Sequence, residues 1–320
     1  MTHRDAASEL AGHHVWIDGA LVPADARHLS VFDRGFQLGD GIFETLRARG
    51  GHPTELPEHL GRLRRSADGL DIELAASLDA DLSRGIADLL AAEGLDGPDG
   101  DASVRITVSR GTMTGRGLLP PGPSVATVVI QAWPVAPPPA GHLEGGLHLV
   151  SSAVRRDPMS PIVALKTTSR ADYVYARLEA RRARADDALF LTIDGRLSEA
   201  TSANIFLVRR AAEGAGAPER APELATPSLD CAILPGTTRT WIVRWAAGAG
   251  LAPVETSLLP ADLAAADEAF LCSSVAGILP VTRFDGAPIG DGRPGPWAAR
   301  AREAREAFIR DGDGPAAGRP

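Results

Sequence analysis

The chain of 320 residues carries 41 acidic and 33 basic side chains, which gives a formal net charge of −8. This balance argues against a nucleic-acid-binding surface, because phosphate binding needs a clustered positive face. Hydrophobic residues make up 44% of the chain, enough for a core of good size, and the length suits two domains of ordinary size.

No run approaches the roughly 20 apolar residues needed to cross a bilayer, and the N-terminus lacks the apolar core of a signal peptide. We therefore expect a protein that is neither exported nor embedded in a membrane. Cys231 and Cys272 lie in apolar surroundings, which favours buried thiols in a reducing compartment over a disulfide framework. The sequence thus predicts a cytoplasmic location.

Residues 1–133 are predicted to form a small N-terminal α/β domain. The pair Asp18-Gly19 tolerates positive φ and predicts a hairpin over residues 15–22. Leucines near helical spacing predict two helices, and three further segments are predicted to be strands. The helices are expected near residues 57–70 and 82–90, and the strands at 42–49, 104–109 and 125–133.

A proline-rich segment, PVAPPPAG over residues 134–141, is predicted to be the interdomain linker, because proline lacks the amide donor that a central strand needs. Residues 142–320 then form a larger C-terminal domain, with a solvated loop insertion at 211–223 and a fraying end, DGDGPAAGRP. Its expected helices lie near 171–185 and 297–309, and its first strands at 147–150, 188–193 and 204–208. The predicted fold class is mixed α and β.

Lys166 is the only lysine among the 33 lysine and arginine residues. Arginine stays protonated, whereas a lysine amine can lose its proton, attack an aldehyde and form a Schiff base. In ALKTTSRADY the lysine follows an apolar patch, where desolvation would lower its pKa from about 10.4, as a Schiff-base lysine requires. A coding bias towards arginine with one surviving lysine would give the same count, so the neighbouring motifs must decide.

Glu199 in LSEATSANIFLV stands between small hydroxyl residues and a strand with a buried pattern. A buried carboxylate needs a charged or hydrogen-bonding partner. The pyridinium nitrogen of pyridoxal phosphate (PLP) would be one, because an acidic partner keeps it protonated and makes the ring an electron sink. An ion pair with an arginine is the structural alternative.

The segment LPGTTR places Gly236, Thr237 and Thr238 at the start of a helix. Free amides at a helix N-terminus and two hydroxyls suit a phosphate, although ordinary threonine capping is the alternative. Arg62 could add a guanidinium fork, and Ser273-Ser274 follow a predicted strand end. Taken singly, a charged helix face and a polar turn also explain these residues.

The four patches ALKTTSR, SEATSANIF, LPGTTR and DEAFLCSSVAGILPV, in this order and spacing, resemble the class IV, fold-type IV PLP enzymes. This group includes branched-chain and D-amino-acid aminotransferases and 4-amino-4-deoxychorismate lyase. The segment DRGFQLGDGIFETLR, residues 33–47, is similar to the same group, and the match runs from about Val15 to Val281. The resemblance implies a small α/β domain, a larger barrel-like domain and a homodimer.

The resemblance also implies a role for each matching residue. Lys166 would be the Schiff-base lysine and proton shuttle, Glu199 would hold the pyridine nitrogen, and Leu234 would pack against the ring. The phosphate would be held by Arg62, Thr237, Thr238 and Ser274, with the amide of Ser273. No metal site is predicted.

Substrate residues are less specific. Arg116 in GRG is similar in placement to an arginine that meets the substrate carboxylate in D-amino-acid and lyase relatives, but a surface loop charge is the alternative. Phe43 stands where D-amino-acid aminotransferases have a tyrosine, and Ala171 where branched-chain enzymes often have one. Arg170 is closer to the lyase, whereas Glu44 is closer to the aminotransferases.

The leading hypothesis is a PLP-dependent aminotransferase that moves an amino group from an amino acid or amine donor to a keto acid through Lys166. The closest alternative is the lyase, which would release pyruvate and 4-aminobenzoate from a single substrate. A non-catalytic PLP carrier is the alternative from another class. Such a carrier would need the phosphate cradle more than it would need Glu199.

Overall fold

The computed structural model describes residues 9–115, 117–210 and 221–311. The described chain divides into two units. The first comprises the residues up to Ala136, the segment Leu165–Arg170 and the residues from Ile309 onward. The second comprises Pro137–Ala164 and Ala171–Phe308. The mixed α and β fold class predicted from the sequence is confirmed.

The first unit contains a six-stranded antiparallel sheet among its described residues, in the order β2-β1-β6-β5-β3-β4. Its strands are β1 (His14–Ile17), β2 (Ala20–Pro23), β3 (Gly41–Arg49), β4 (His52–Pro53), β5 (Asp101–Ser109) and β6 (Thr127–Pro134). The predicted hairpin is present, with β1 and β2 paired around Asp18-Gly19. The helices are α1 (Arg34–Leu38), α2 (Leu56–Gly69) and α3 (Leu78–Ala92).

Alternation along β5 forms one face of this unit's core. Val104, Ile106 and Val108 are fully buried at every second position, as expected for a strand with one face against a core. They pack in one cluster with apolar residues of α2 and α3. Gly85 of α3 lets Trp16 approach closely, since a Cβ there would lie 2.7 Å from the indole ring.

The second unit contains a nine-stranded mixed sheet among its described residues, in the order β12-β11-β10-β13-β14-β7-β8-β9, with β15 added to β14. These strands are β7 (Leu147–Arg156), β8 (Asp187–Thr192), β9 (Leu197–Ala200), β10 (Asn204–Arg209), β11 (Glu223–Pro227), β12 (Ala252–Thr256), β13 (Glu268–Ser273), β14 (Gly277–Phe284) and β15 (Ala287–Pro288). Leu197 of β9 and Ala225 of β11 belong to one apolar cluster although they come from opposite ends of the sheet. The sheet is therefore curled into a half-barrel.

Helices cover this half-barrel: α4 (Ala140–Glu144), α5 (Ala171–Ala183), α6 (Thr237–Ala249), α7 (Pro260–Ala264) and α8 (Pro296–Asp311). Ala176 and Ala180 of α5 pack with Phe190 of β8, and the small residues allow the helix to lie close to the strand. The predicted loop at 211–223 lies outside the described residues except at its end, where Glu223 begins β11. The predicted fraying end also lies outside them, apart from Asp311.

Cys231 and Cys272 are both buried, as predicted. Among the described residues, no helix combines the length and the apolar character that a membrane span requires.

Candidate active site

Lys166 lies in a short extended segment that pairs with β3. Phe43 N donates to the carbonyl of Lys166 at 2.9 Å, and Thr168 N donates to the carbonyl of Gly41 at 2.9 Å. Lys166 N donates to Ser66 Oγ at 3.1 Å. These bonds fix the backbone on both sides of the lysine. They also explain why Leu165–Arg170 packs with the first unit, whereas the sequence predicts Lys166 in the C-terminal domain.

The DRGFQLGDG motif contacts this segment and holds it in place. Gly39 ends α1 with a left-handed φ of 66°, and its carbonyl accepts hydrogen bonds from Thr168 Oγ1 at 2.8 Å and Ser169 Oγ at 3.1 Å. A Cβ at Gly39 would lie 2.7 Å from Ser169 Oγ, and one at Gly41 would lie 2.7 Å from the carbonyl oxygen of Val108. Both positions therefore require glycine, one for its conformation and contact and the other for contact alone.

Two charged residues hold the motif itself in place. Asp33 caps α1 by accepting a hydrogen bond from Gly35 N at 2.8 Å, and its second oxygen accepts one from Ser109 Oγ at 2.7 Å. Asp40 joins two buried arginines, since Arg34 Nε and Arg110 Nε both donate to its Oδ2, at 2.7 and 2.8 Å. Burial raises the pKa of Asp40, but the hydrogen bonds and charges of the two arginines outweigh it and lower the pKa.

Three cations surround the ring of Phe43. Lys166 Nζ lies 4.7 Å from the ring centroid, and the Cζ atoms of Arg105 and Arg170 lie 4.0 and 5.6 Å from it. The structure thus brings the predicted residues Phe43 and Lys166 together. Burial, and then the positive charge of Arg170, lower the pKa of Arg105. The cluster is therefore suited to an anion.

Arg62 is engaged by a carboxylate of its own unit. Its Nε donates to Glu44 Oε1 at 2.7 Å and its Nη2 to Glu44 Oε2 at 2.6 Å, while His59 Nδ1 lies 2.7 Å from Oε2. All three side chains are buried. One edge of the guanidinium, formed by Nε and Nη2, therefore binds Glu44, so a phosphate would have to share this guanidinium with the carboxylate.

Glu199 is a buried carboxylate with several polar neighbours in the second unit. Its Oε2 accepts a hydrogen bond from Leu234 N at 3.0 Å and lies 3.4 Å from Asn204 Nδ2. Its Oε1 lies 3.5 Å from Tyr173 Oη and 3.8 Å from Arg156 Nη2. The predicted residues Glu199 and Leu234 are thus adjacent, and an arginine, which the ion-pair alternative requires, is also present.

The predicted phosphate cradle lies at the start of α6. The N-cap is Gly236, so Thr237 and Thr238 are the first two residues of the helix. Thr237 Oγ1 lies 3.2 Å from Ser274 Oγ. Thr238 Oγ1 is buried and has no hydrogen-bond partner in the described parts of the chain. A Cβ at Gly236 would lie 2.1 Å from the Oδ1 of Asn204, so only glycine fits there.

Among the predicted residues, the structure tells least about the roles of Ser273 and Arg116. Ser273 ends β13 and is partly buried. Arg116 lies outside the described residues.

Three residues near these sites were not predicted. Arg105 interrupts the apolar strand VRITV, Arg156 ends β7, and Tyr173 is one of two tyrosines in the chain. The sequence signals were the lone charge of Arg105 within an apolar strand and the rare tyrosine Tyr173 close to Lys166. These signals do not show which partners the side chains contact, and the partners of Arg156 and Tyr173 are distant in sequence.

Comparison with known proteins gives the family. The sequence profile "Amino-transferase class IV" matches residues 41–284. A putative branched-chain-amino-acid aminotransferase of Methanocaldococcus jannaschii is 31% identical, over 90% of this chain and 94% of the relative. The chain therefore belongs to the class IV aminotransferases. The predicted aminotransferase class of enzyme is confirmed.

Two solved structures share the fold. The structure of a T.th. branched-chain amino acid aminotransferase with pyridoxamine 5'-phosphate has a TM-score of 0.82 and 26% identity, covering 94% of this chain and 95% of the other. The 4-amino-4-deoxychorismate lyase of Pseudomonas aeruginosa has a TM-score of 0.76 and 30% identity, covering 92% and 99%. The chain thus has the fold of the fold-type IV enzymes.

Proposed function

We propose that the protein is a PLP-dependent transaminase that moves an amino group between an amino acid and a keto acid. The observation that carries the proposal is the presentation of Lys166, the only lysine in the chain, by a backbone bonded on both sides. Support for the cofactor comes from the relative solved with pyridoxamine 5'-phosphate. The second unit adds the buried Thr238 hydroxyl at a helix N-terminus, which has no partner among the described residues and fits a phosphate.

The chain's own residues then take distinct roles. Lys166 would hold PLP through Nζ and afterwards carry a proton on the same atom. Glu199 would hold the pyridine nitrogen, and Leu234, whose amide orients Glu199, would pack against the ring. When bound, PLP supplies an electron sink for the charge left at the substrate carbon. The phosphate would be held by Thr237, Thr238, Ser274, the amide of Ser273 and the guanidinium of Arg62.

The cations around Phe43 favour a carboxylate substrate over a simple amine. Arg105 and Arg170 place two guanidinium groups within 6 Å of the ring that Lys166 also approaches. Guanidinium groups match carboxylates in shape and charge. Phe43 would form the apolar floor of the substrate site.

The substrate assignment is tested with Arg105→Met. The variant should lose about tenfold or more in kcat/KM for an amino acid, because a charged hydrogen bond is worth about 1.5–3 kcal/mol. It should lose much less for the amine that lacks only the carboxylate. Arg65→Met is the matched control, since Arg65 is exposed. Equal losses for both substrates would contradict the assignment.

The covalent role of Lys166 is tested by borohydride reduction of the holoprotein and peptide mass mapping. The reduced adduct should be found on Lys166 and should be missing from Lys166→Ala. Incubation with single amino acids should convert the cofactor spectrum to the pyridoxamine form. A colourless wild-type protein, or an adduct at another residue, would refute the proposal.

The lyase is the second candidate, because Arg170, the residue that is closer to the lyase, lies over Phe43. Release of pyruvate from aminodeoxychorismate without any amino donor, together with no pyridoxamine form on incubation with amino acids, would favour it. Glu199→Ala tests the carrier alternative. A carrier should keep its cofactor and its function, whereas a transaminase should lose turnover.

We also propose that the protein is a homodimer. Large apolar side chains of the first unit are exposed, among them Phe36 at 74% and Leu119 at 84%, and such side chains suit an interface with a second copy. Light scattering at micromolar concentration should give twice the chain mass of 33.4 kDa. A monomer under these conditions would contradict the proposal. The cytoplasmic location stays a prediction.

A further inference from the structure

Arg156, at the end of β7, is a buried guanidinium whose position its own hydrogen bonds do not explain. It is 7% exposed. Its Nη1 donates to Asp172 Oδ2 at 3.0 Å, and its Nη2 lies 3.8 Å from Glu199 Oε1. Its Nε is buried and has no hydrogen-bond partner in the described chain. Such a group costs free energy to bury, so its placement calls for a compensating role.

Two aromatic rings hold Arg156 beside Glu199. The Cζ of Arg156 lies 4.8 Å from the ring centroid of Tyr173 and 5.4 Å from that of Phe190. The rings themselves meet edge to face, with centroids 5.2 Å apart and an interplanar angle of 77°. Contacts with two rings restrict the guanidinium more than the single ion pair with Asp172 would.

The two oxygens of Glu199 have different surroundings. Oε2 accepts a hydrogen bond from the backbone amide of Leu234 and lies near the side-chain amide of Asn204. Oε1 faces Arg156 and the Tyr173 hydroxyl. The hydrogen bond from Leu234 fixes one oxygen in place. The positive charge therefore acts from the other side of the carboxylate, where it compensates the burial of a negative charge.

We propose that Arg156 is a positioning residue for the reaction. It orients Glu199 and supplies the counter-charge that keeps Glu199 an anion, so that the proton shared with the pyridine nitrogen stays on nitrogen. Tyr173 and Phe190 hold Arg156 in this position. This inference rests on the proposed function, in which Glu199 holds the pyridine nitrogen.

The test compares holoenzymes of wild type, Arg156→Met and Arg156→Lys, loaded with PLP labelled with ¹⁵N in the ring. In Arg156→Met the pyridine nitrogen resonance should move towards that of unprotonated pyridine, because without a counter-charge the carboxylate takes the shared proton. We expect kcat to fall about tenfold or more, with a smaller change in KM. Arg156→Lys keeps the charge and should retain the wild-type nitrogen resonance.

Arg155→Met is the matched control, since Arg155 is exposed on the same strand. Should Arg156→Met fail to fold, Arg156→Gln carries the test, because it is neutral but can still hydrogen-bond Asp172. A neutral variant whose nitrogen resonance coincides with that of wild type would overturn the inference, whatever its activity. A wild-type protein that binds no PLP would instead refute the proposed function.

Discussion

Substitution of Glu44 measures how much a buried ion cluster contributes to the free energy of unfolding of the first unit. Its carboxylate is fully buried beside Arg62 and His59. Burial raises the pKa of Glu44, but hydrogen bonds and positive charges from Arg62 and His59 outweigh it and lower the pKa from 4.5 to about 2. A pKa lowered in the folded state stabilises the fold fully above pH 4.5, and this stabilisation is lost as the pH falls towards 2.

The difference between these two pKa values corresponds to about 3 kcal/mol at pH 7 and about 1 kcal/mol at pH 3. Glu44→Gln removes the charge and leaves Arg62 buried without its anion. The variant should therefore lower the free energy of unfolding of the first unit by about 3 kcal/mol or more at pH 7, and by much less at pH 3.

Urea unfolding followed by hydrogen-exchange mass spectrometry of peptides from α2 measures this unit by itself. Glu58→Gln, on the exposed face of the same helix, is the control and should unfold as wild type does. A loss below about 1 kcal/mol at pH 7, or a loss that is the same at pH 3, would refute the reasoning.

Three further substitutions test the residues that position, or belong to, the proposed cofactor site. Gly39→Ala, with φ of 66° and a contact of 2.7 Å to Ser169 Oγ, should destabilise the first unit by about 1–3 kcal/mol and reduce kcat, measured by urea unfolding and steady-state kinetics. Gly236→Ala should displace Asn204 and speed cofactor loss on dialysis; unchanged retention would contradict it. Thr238→Val should leave the apoprotein as stable or up to about 1 kcal/mol more stable, because it removes a hydroxyl that is unpaired within the described chain, while weakening PLP binding in fluorescence titration.

Much of the fold could be predicted because it depends on local patterns. Alternation at Val104, Ile106 and Val108 indicates a half-buried strand, and the structure buries these residues as expected. The hairpin at Asp18-Gly19 follows in the same way from turn chemistry. The short helix α1 was missed because five residues carry too little helical periodicity.

The candidate site residues were proposed from the order and spacing of their motifs, since the residue type alone left alternatives open. Lys166 and Glu199 stand out because their motifs and their chemistry agree, and their roles are proposals. The partners of Arg62 were not predictable. Its contact with Glu44 depends on the packing of α2 against β3, which no spacing in the sequence reveals. Arg156 is hidden for the same reason, since Glu199 is 43 residues away along the chain.

The assignment of Leu165–Arg170 to the first unit limits how this protein could be divided or recombined. A gene fragment that ended at the proline-rich segment 134–141 would encode Gly39 and Gly41 but not Lys166. A fragment that began after this segment would encode Lys166 without β3, the strand with which its backbone pairs. Exchange of modules at residues 134–141 would therefore separate Lys166 from the strand that pairs with its backbone, so a workable exchange would have to move Leu165–Arg170 together with the first unit.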